Sequence, residues 1–384
     1  MKNIKLIGIF LSLTTLISCS QDSTTSTVII PDKAAIVATV AADYGSDAHS
    51  VISKDDNGDR IVINDLWAQP GGDVNVAAFG TDFYRIERLY SGNSIAKFSG
   101  GEAQTPVWQY SADDAGSAVS SNPYDMIFVS ETKAYVLRYG TGIVWIVNPS
   151  ATSEAEFKTG ELDLSAYDGD GVPEMAGGVI ANGKLYITMQ RWDNFSITQN
   201  AYVAIFDINT DQEIDANIAG DSLKGIPLQT RNPANIIYEP VSNSIFVQGS
   251  GSFFPEEFTG GIEKIDLADL TTSVILDDGD AVTHPYGLIT ELAVVSDSVI
   301  YFVGYAGWTD NTLYKLDLNT AEITATGVVS LISGQISSLS VDAEGLLWVS
   351  DSANATVRII DPETDTEVDA LYTSLNPDKV VFVK

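Results

Sequence analysis

Leu347-Trp-Val-Ser-Asp-Ser-Ala-Asn-Ala-Thr-Val-Arg-Ile-Ile-Asp-Pro-Glu-Thr-Asp-Thr-Glu-Val368 reads as strand, polar turn, strand, Asp-Pro turn, strand. Leu347, Val349, Val357, Ile359 and Val368 are apolar at the two-residue period of a pleated strand, and Ser, Asp, Asn and Pro mark the breaks. Weaker copies run over Ala134–Thr152, Leu185–Glu213, Ser244–Thr272 and Val299–Thr324. No amphipathic helix of ordinary length is readable after residue 33. The chain therefore reads as an all-β repeat protein.

Each repeat carries four strands, A to D. Six units follow one another at Val74–Tyr110, Tyr124–Leu162, Gly177–Ile218, Asn235–Leu276, Leu288–Val328 and Ile336–Tyr372. Asn376–Lys384 reads as a lone A strand, while Ile36–Ala42, His49–Ser53 and Arg60–Asn64 read as B, C and D without an A. Joined across the termini, these fragments complete a seventh unit. The expected fold is a seven-bladed β-propeller of four-stranded antiparallel blades over residues 34–384, its last strand closing the first blade and removing an exposed edge pair.

Leu347-Trp-Val-Ser, Thr356-Val-Arg-Ile-Ile-Asp-Pro-Glu-Thr and Ala134-Tyr-Val-Leu-Arg-Tyr-Gly-Thr-Gly-Ile-Val-Trp-Ile-Val-Asn-Pro149 resemble the YVTN-type propeller repeat. The resemblance covers most of residues 120–384 and implies the fold, not the function, because propellers host lyases, lactonases, binders and scaffolds. Long B–C connections at Arg191–Ala201 and Gly249–Gly260 depart from the regular repeat.

At the start, Lys2 and Lys5 precede the apolar run Leu6–Ile17, a leader pattern too short for a confident membrane span. Leu16-Ile17-Ser18-Cys19 resembles the lipobox of bacterial lipoproteins. That resemblance implies removal of residues 1–18 and lipidation of Cys19, the single cysteine. With Ser20 rather than Asp after it, an outer-membrane anchor is expected, facing the periplasm or the cell surface. Residues 19–33 read as a flexible tether and 34–384 as the propeller. The formal charge of −32, or −34 without Lys2 and Lys5, argues against nucleic-acid partners. A monomer is expected.

In a propeller the B–C and D–A loops leave on one face. The B-strand ends offer that face Tyr44, Tyr90, Tyr139, Trp192 with Phe195, Phe253 with Phe254, and Tyr305 with Trp308. Such rings either pack blade against blade or line a ligand surface. Arg138, Arg191 and Arg231 are candidates for binding carboxylate or phosphate, or for salt bridges. His284, on a D–A loop, is a candidate donor to a ligand or a packed ring. In Asp168-Gly-Asp-Gly-Val-Pro-Glu174, the residues Asp168, Asp170 and Glu174 could hold a hard cation, calcium being the candidate cofactor, or could form a plain turn. Asp55–Asp59 is a weaker version. Asp207, Asp266, Asp317, Asp361 and Asn148 end C strands and read as turn caps.

There is no Gly-x-Ser-x-Gly elbow, no cysteine within residues 34–384, and only two histidines. The first reading is a lipid-anchored binding protein that captures a small nutrient or metal complex, such as a corrinoid or siderophore, for an outer-membrane transporter. In build and anchoring it resembles the vitamin B12-capturing surface propellers of gut bacteria. The alternative is a calcium-dependent lactonase or hydrolase, with Glu174, Asn235 and Asp351 as conceivable ligands, and a third reading is a protein-interaction scaffold.

Overall fold

The computed structural model describes residues 27–193, 196–218, 220, 222–326 and 334–384. The leader, Cys19 and Phe195 lie outside them. Among the described residues the chain forms seven antiparallel blades and no α-helix. Blade 1 orders its strands, from inside out, as Asn376–Phe382, Ala35–Val40, Ser46–Lys54 and Arg60–Pro70. Blade 2 runs Val74–Phe79, Asp82–Glu87, Ser94–Phe98 and Trp108–Ser111; blade 3 runs Pro123–Ser130, Lys133–Arg138, Ile143–Val147 and Lys158–Asp163. Blade 4 begins Met175–Ala181, Lys184–Met189, Tyr202–Asp207; blade 5 runs Pro233–Glu239, Ser244–Gly249, Gly261–Asp266 and Thr272–Asp277. Blade 6 runs Leu288–Val294, Val299–Gly307, Asp310–Asp317 and Glu322–Ala325; blade 7 runs Ile336–Val341, Leu347–Asp351, Thr356–Asp361 and Thr366–Tyr372. The seven-bladed fold expected from the repeat is the fold observed. Its C-terminal strand pairs Phe382 with Ala35 and Val381 with Ile36, which closes the ring.

One local expectation needs correction, and one apolar strand position is exposed. The fourth strand of the Gly177–Ile218 unit, expected from its pattern over Glu213–Ile218, is split: Gln212–Glu213 pairs with the Phe206 end of the third strand, and Ile226–Pro227 pairs with its Tyr202 end. Val368 is exposed although it shares the strand period of Leu347, because the outermost strand of a blade has solvent on its free side.

Seven apolar cores hold the ring, one between each adjacent pair of blades. The strand Ala35–Val40 shows how. Ile36 and Ala38 pack with Val76 and Phe83 of blade 2, while Ala35 and Val37 pack with Trp348 and Val357 of blade 7. Alternate side chains point to opposite faces and both faces are covered, so the strand is buried throughout and apolar except for Thr39. The C-strand ends behave as turn caps: Asp207, Asp266, Asp317 and Asp361 each accept a backbone N–H two residues on, as does Asn148.

The inner strands carry a repeated irregularity. In six blades the pairing with the second strand skips one residue near the start of the inner strand: Asp378, Tyr124, Ala176, Ala234, Thr290 and Ser337. A β-bulge of this kind frees a side chain from the ladder and re-aims it. Blade 2 keeps an unbroken register there.

Candidate functional site

Because the strands of a blade alternate in direction, the B–C and D–A connections share a face. On it a cavity of about 760 Å³ spans blades 4 to 7 and reaches blade 1. Its walls are Trp192, Phe253, Phe254, Tyr305 and Trp308, and its floor includes Thr290, Glu291, Ser337 and Asp378.

Each wall residue is held by its own loop. The Trp192 amide donates to Glu174 Oε2 at 2.9 Å, and its indole Nε1 donates to Gln190 Oε1 at 2.9 Å. Gln190 Oε1 also accepts the Tyr139 hydroxyl at 2.6 Å, and Tyr139 stacks on Tyr124, over which Arg88 lies at 3.8 Å. Phe253 and Phe254 sit on a small hairpin, Ser252–Phe253 with Glu256–Glu257, inserted in the blade 5 B–C loop. Phe253 meets Tyr305 edge to face. Trp308 lies at the tip where the second and third strands of blade 6 meet. Phe254 is 89% exposed and Trp308 59%.

The floor is acidic. Glu291 follows the blade 6 bulge, and Asn235 of blade 5 donates to its Oε2 at 3.3 Å. Burial pushes its carboxyl up to about 8, against the stabilising Asn235 hydrogen bond. Asp378 is itself the bulge residue of blade 1; burial raises it to about 6, opposed by the charges of Arg88 and Lys379. Among the described residues no Lys, Arg or His lines the cavity.

The remaining candidates go elsewhere. Tyr44 and Tyr90 are exposed on the same face at blades 1 and 2, outside the cavity. Arg138 is buried, donating to Ala112 O and Asp114 Oδ2 with its guanidinium over Trp145. Arg191 ties its own loop, donating to Tyr167 O, Asn200 O and Gln199 Oε1. Arg231 donates to Ile197 O. His284 stacks on Phe258 at 4.1 Å and pairs through Nδ1 with Asp280 O. Of these, Arg138 forms a salt bridge and His284 packs on a ring, while Arg191 and Arg231 donate to carbonyl and amide oxygens of neighbouring loops.

The acidic loop folds as a turn. Asp168 Oδ1 accepts the Asp170 amide, Asp170 Oδ1 accepts the Val172 amide, and Glu174 holds Trp192. Burial lifts the Glu174 carboxyl to about 7, with Asp168 and Asp170 adding to the rise. Among the described residues no three His, Cys, Asp or Glu side chains are grouped to share a metal ion. The three residues conceived for a lactonase calcium lie in separate networks: Glu174 on Trp192, Asn235 on Gln248 and Glu291, and Asp351 in an ion pair with Arg358.

No family model and no curated relative matches this chain. Solved structures do. A candidate 6-phosphogluconolactonase from Bacteroides fragilis aligns over 94% of this chain and 99% of its own at 11% identity, with a TM-score of 0.62. A second from Bacteroides uniformis aligns over 92% and 100% at 11% identity and 0.62. The dihydro-heme d1 dehydrogenase NirN aligns over 90% and 67% at 12% identity and 0.52. At such identities the likeness is one of fold alone. What these proteins act on therefore does not transfer, and the site has to be read from its own residues.

Proposed function

We propose that this chain is a lipid-anchored, extracytoplasmic binding propeller whose ligand sits in the aromatic basin of blades 4 to 7. One observation carries this reading: five rings from three B–C loops line a single cavity, and two of them stay largely exposed. Exposed rings add nothing to the inter-blade cores, whereas a concave apolar wall over a few polar groups suits a small ligand. The path of the N-terminal segment agrees with capture. Ile30 N–H donates to Gly100 O and Ala103 N–H to Val28 O, so the segment runs along the C–D turn of blade 2, on the face opposite the basin. A lipid on Cys19 would then turn that face to the membrane and leave the basin open to the medium or to an outer-membrane transporter.

The test is thermal unfolding of the Cys19→Ser chain with corrinoids, siderophores, sugars, organic cations and calcium. Ligand that binds only the folded state raises the melting temperature by mass action. Trp192→Ala and Trp308→Ala should abolish the shift while leaving the unliganded melting temperature nearly unchanged. A shift that survives both substitutions would place the site elsewhere.

A further inference from the structure

The chemistry of the basin says more than that something binds there. Its five rings come from three B–C connections, and two from different blades, Phe253 and Tyr305, stand at 84° to each other. Rings at right angles enclose a corner; a flat sugar or heterocycle is better served by parallel faces. Below them lie two carboxylates, Glu291, which follows the bulge of blade 6, and Asp378, which is the bulge residue of blade 1. The other polar lining groups are neutral: Ser250, Ser252, Thr290, Asn311, Gln335 and Ser337. The neighbouring cations lie outside the lining: Arg88 pairs with Asp73 over Tyr124, Arg191 donates to Tyr167 O, Asn200 O and Gln199 Oε1, and Lys379, next to Asp378, lines the channel below with Asp125.

Ring faces carry negative potential and attract a cation within about 6 Å of the centroid, most strongly when water is excluded. Carboxylates at the floor add attraction for positive charge and repel anions such as phosphates or carboxylates. Resting on the reading of the basin as the ligand site, we infer that its ligand is an alkylammonium cation, its methyl or methylene groups against Trp192, Phe253, Tyr305 and Trp308 and its charge above Glu291 and Asp378.

Calorimetry of the Cys19→Ser chain at about pH 9, above the folded values of Glu291 and Asp378 so that both floor carboxylates are charged, tests this with choline, tetraethylammonium and agmatine. The controls are 3,3-dimethylbutan-1-ol, a neutral choline of the same shape, its anionic relative 3,3-dimethylbutanoate, and a panel of neutral sugars. At least one cation should bind, with choline about tenfold or more tighter than its neutral counterpart if it is the binder, as cation–π attraction and one carboxylate together predict. Trp308→Ala and Glu291→Gln should each weaken the cation about tenfold. Trp308 is exposed, and the glutamine retains an acceptor for Asn235, so neither change threatens the fold. Binding of the neutral alcohol, the anion or a sugar, lost in Trp308→Ala, with no binding of any cation would overturn the cation assignment and leave the basin in place. Cation binding unaffected by Trp308→Ala and Trp192→Ala would overturn both, as would the absence of binding by every compound.

Discussion

Phe253 of blade 5 and Tyr305 of blade 6 meet edge to face, their centroids 5.4 Å apart and their planes at 84°. The contact crosses a blade boundary between two loops, so it fixes the corner of the basin through side chains alone. Edge-to-face pairs contribute about 0.5–1.5 kcal/mol beyond buried area. A double-mutant cycle of Phe253→Ala and Tyr305→Ala, read by urea denaturation, is expected to return a coupling in that range. Strictly additive losses would mean that the two loops are positioned independently.

Glu291 links the basin to pH. It faces Asn235 of blade 5, the Leu339 amide of blade 7, and Asp378 and Lys379 of blade 1. Its folded value of about 8 lies above the ordinary 4.5. Between these values the folded protein keeps a proton that the unfolded chain has lost, so the group's contribution to stability is full at low pH and is lost as pH rises towards about 8. Glu291→Gln should therefore stabilise the protein by about 1–2 kcal/mol near pH 8, discounted for solvent access, and have little effect near pH 5. Equal effects at both pH values in urea titrations would count against a buried, protonated Glu291.

Arg85 is buried between two acids. It bonds to Asp47 Oδ1, lies 2.9 Å from Glu87 Oε1, donates to Trp67 O and stacks over the Trp67 ring. Removing one member of such a group leaves the opposite charges buried without compensation. Arg85→Ala is expected to cost about 3–5 kcal/mol in chemical denaturation, more than Arg358→Ala at the partly exposed triad with Asp351 and Glu367.

Closure depends on the last strand. A stop codon at Asn376 removes the inner strand of blade 1, unpairs Ala35–Val40 and uncovers the cores shared with blades 2 and 7. An unpaired strand edge that is apolar at five of its six residues invites association. Size-exclusion chromatography should show aggregates where the full chain elutes as a discrete species, and near-ultraviolet circular dichroism should lose its aromatic signal. A truncated chain that stays monomeric and cooperative would show that the ring closes without its terminal strand.

Much of this was legible without coordinates. The alternation in Leu347–Val368 and its relatives, and the terminal fragments that complete one blade, correspond to seven sheets and a ring closed by Asn376–Phe382. The caps at Asp207, Asp266, Asp317 and Asp361 were equally readable, because an Asx turn is complete within three or four residues. For the site the yield was mixed. Trp192, Phe253, Phe254, Tyr305 and Trp308 do line one cavity, but Tyr44 and Tyr90 stand outside it and Tyr139 is bound to Gln190. Arginines that suggested anion recognition hold carbonyls and acids instead.

Glu291 and Asp378 were missed, and their signal was faint: a polar residue at the second to fourth position of several inner strands, as in Asn235, Thr290, Ser337 and Asp378. Strand period, turn chemistry and the seven-fold repeat are properties of neighbouring residues, so the amino-acid sequence determined them by itself. Which side chains face one another across the channel was decided only by tertiary structure. Ring closure brings the first and last blades together, and a one-residue bulge in the inner strands of six blades re-aims side chains towards the channel, a change that pairing register controls and local composition does not.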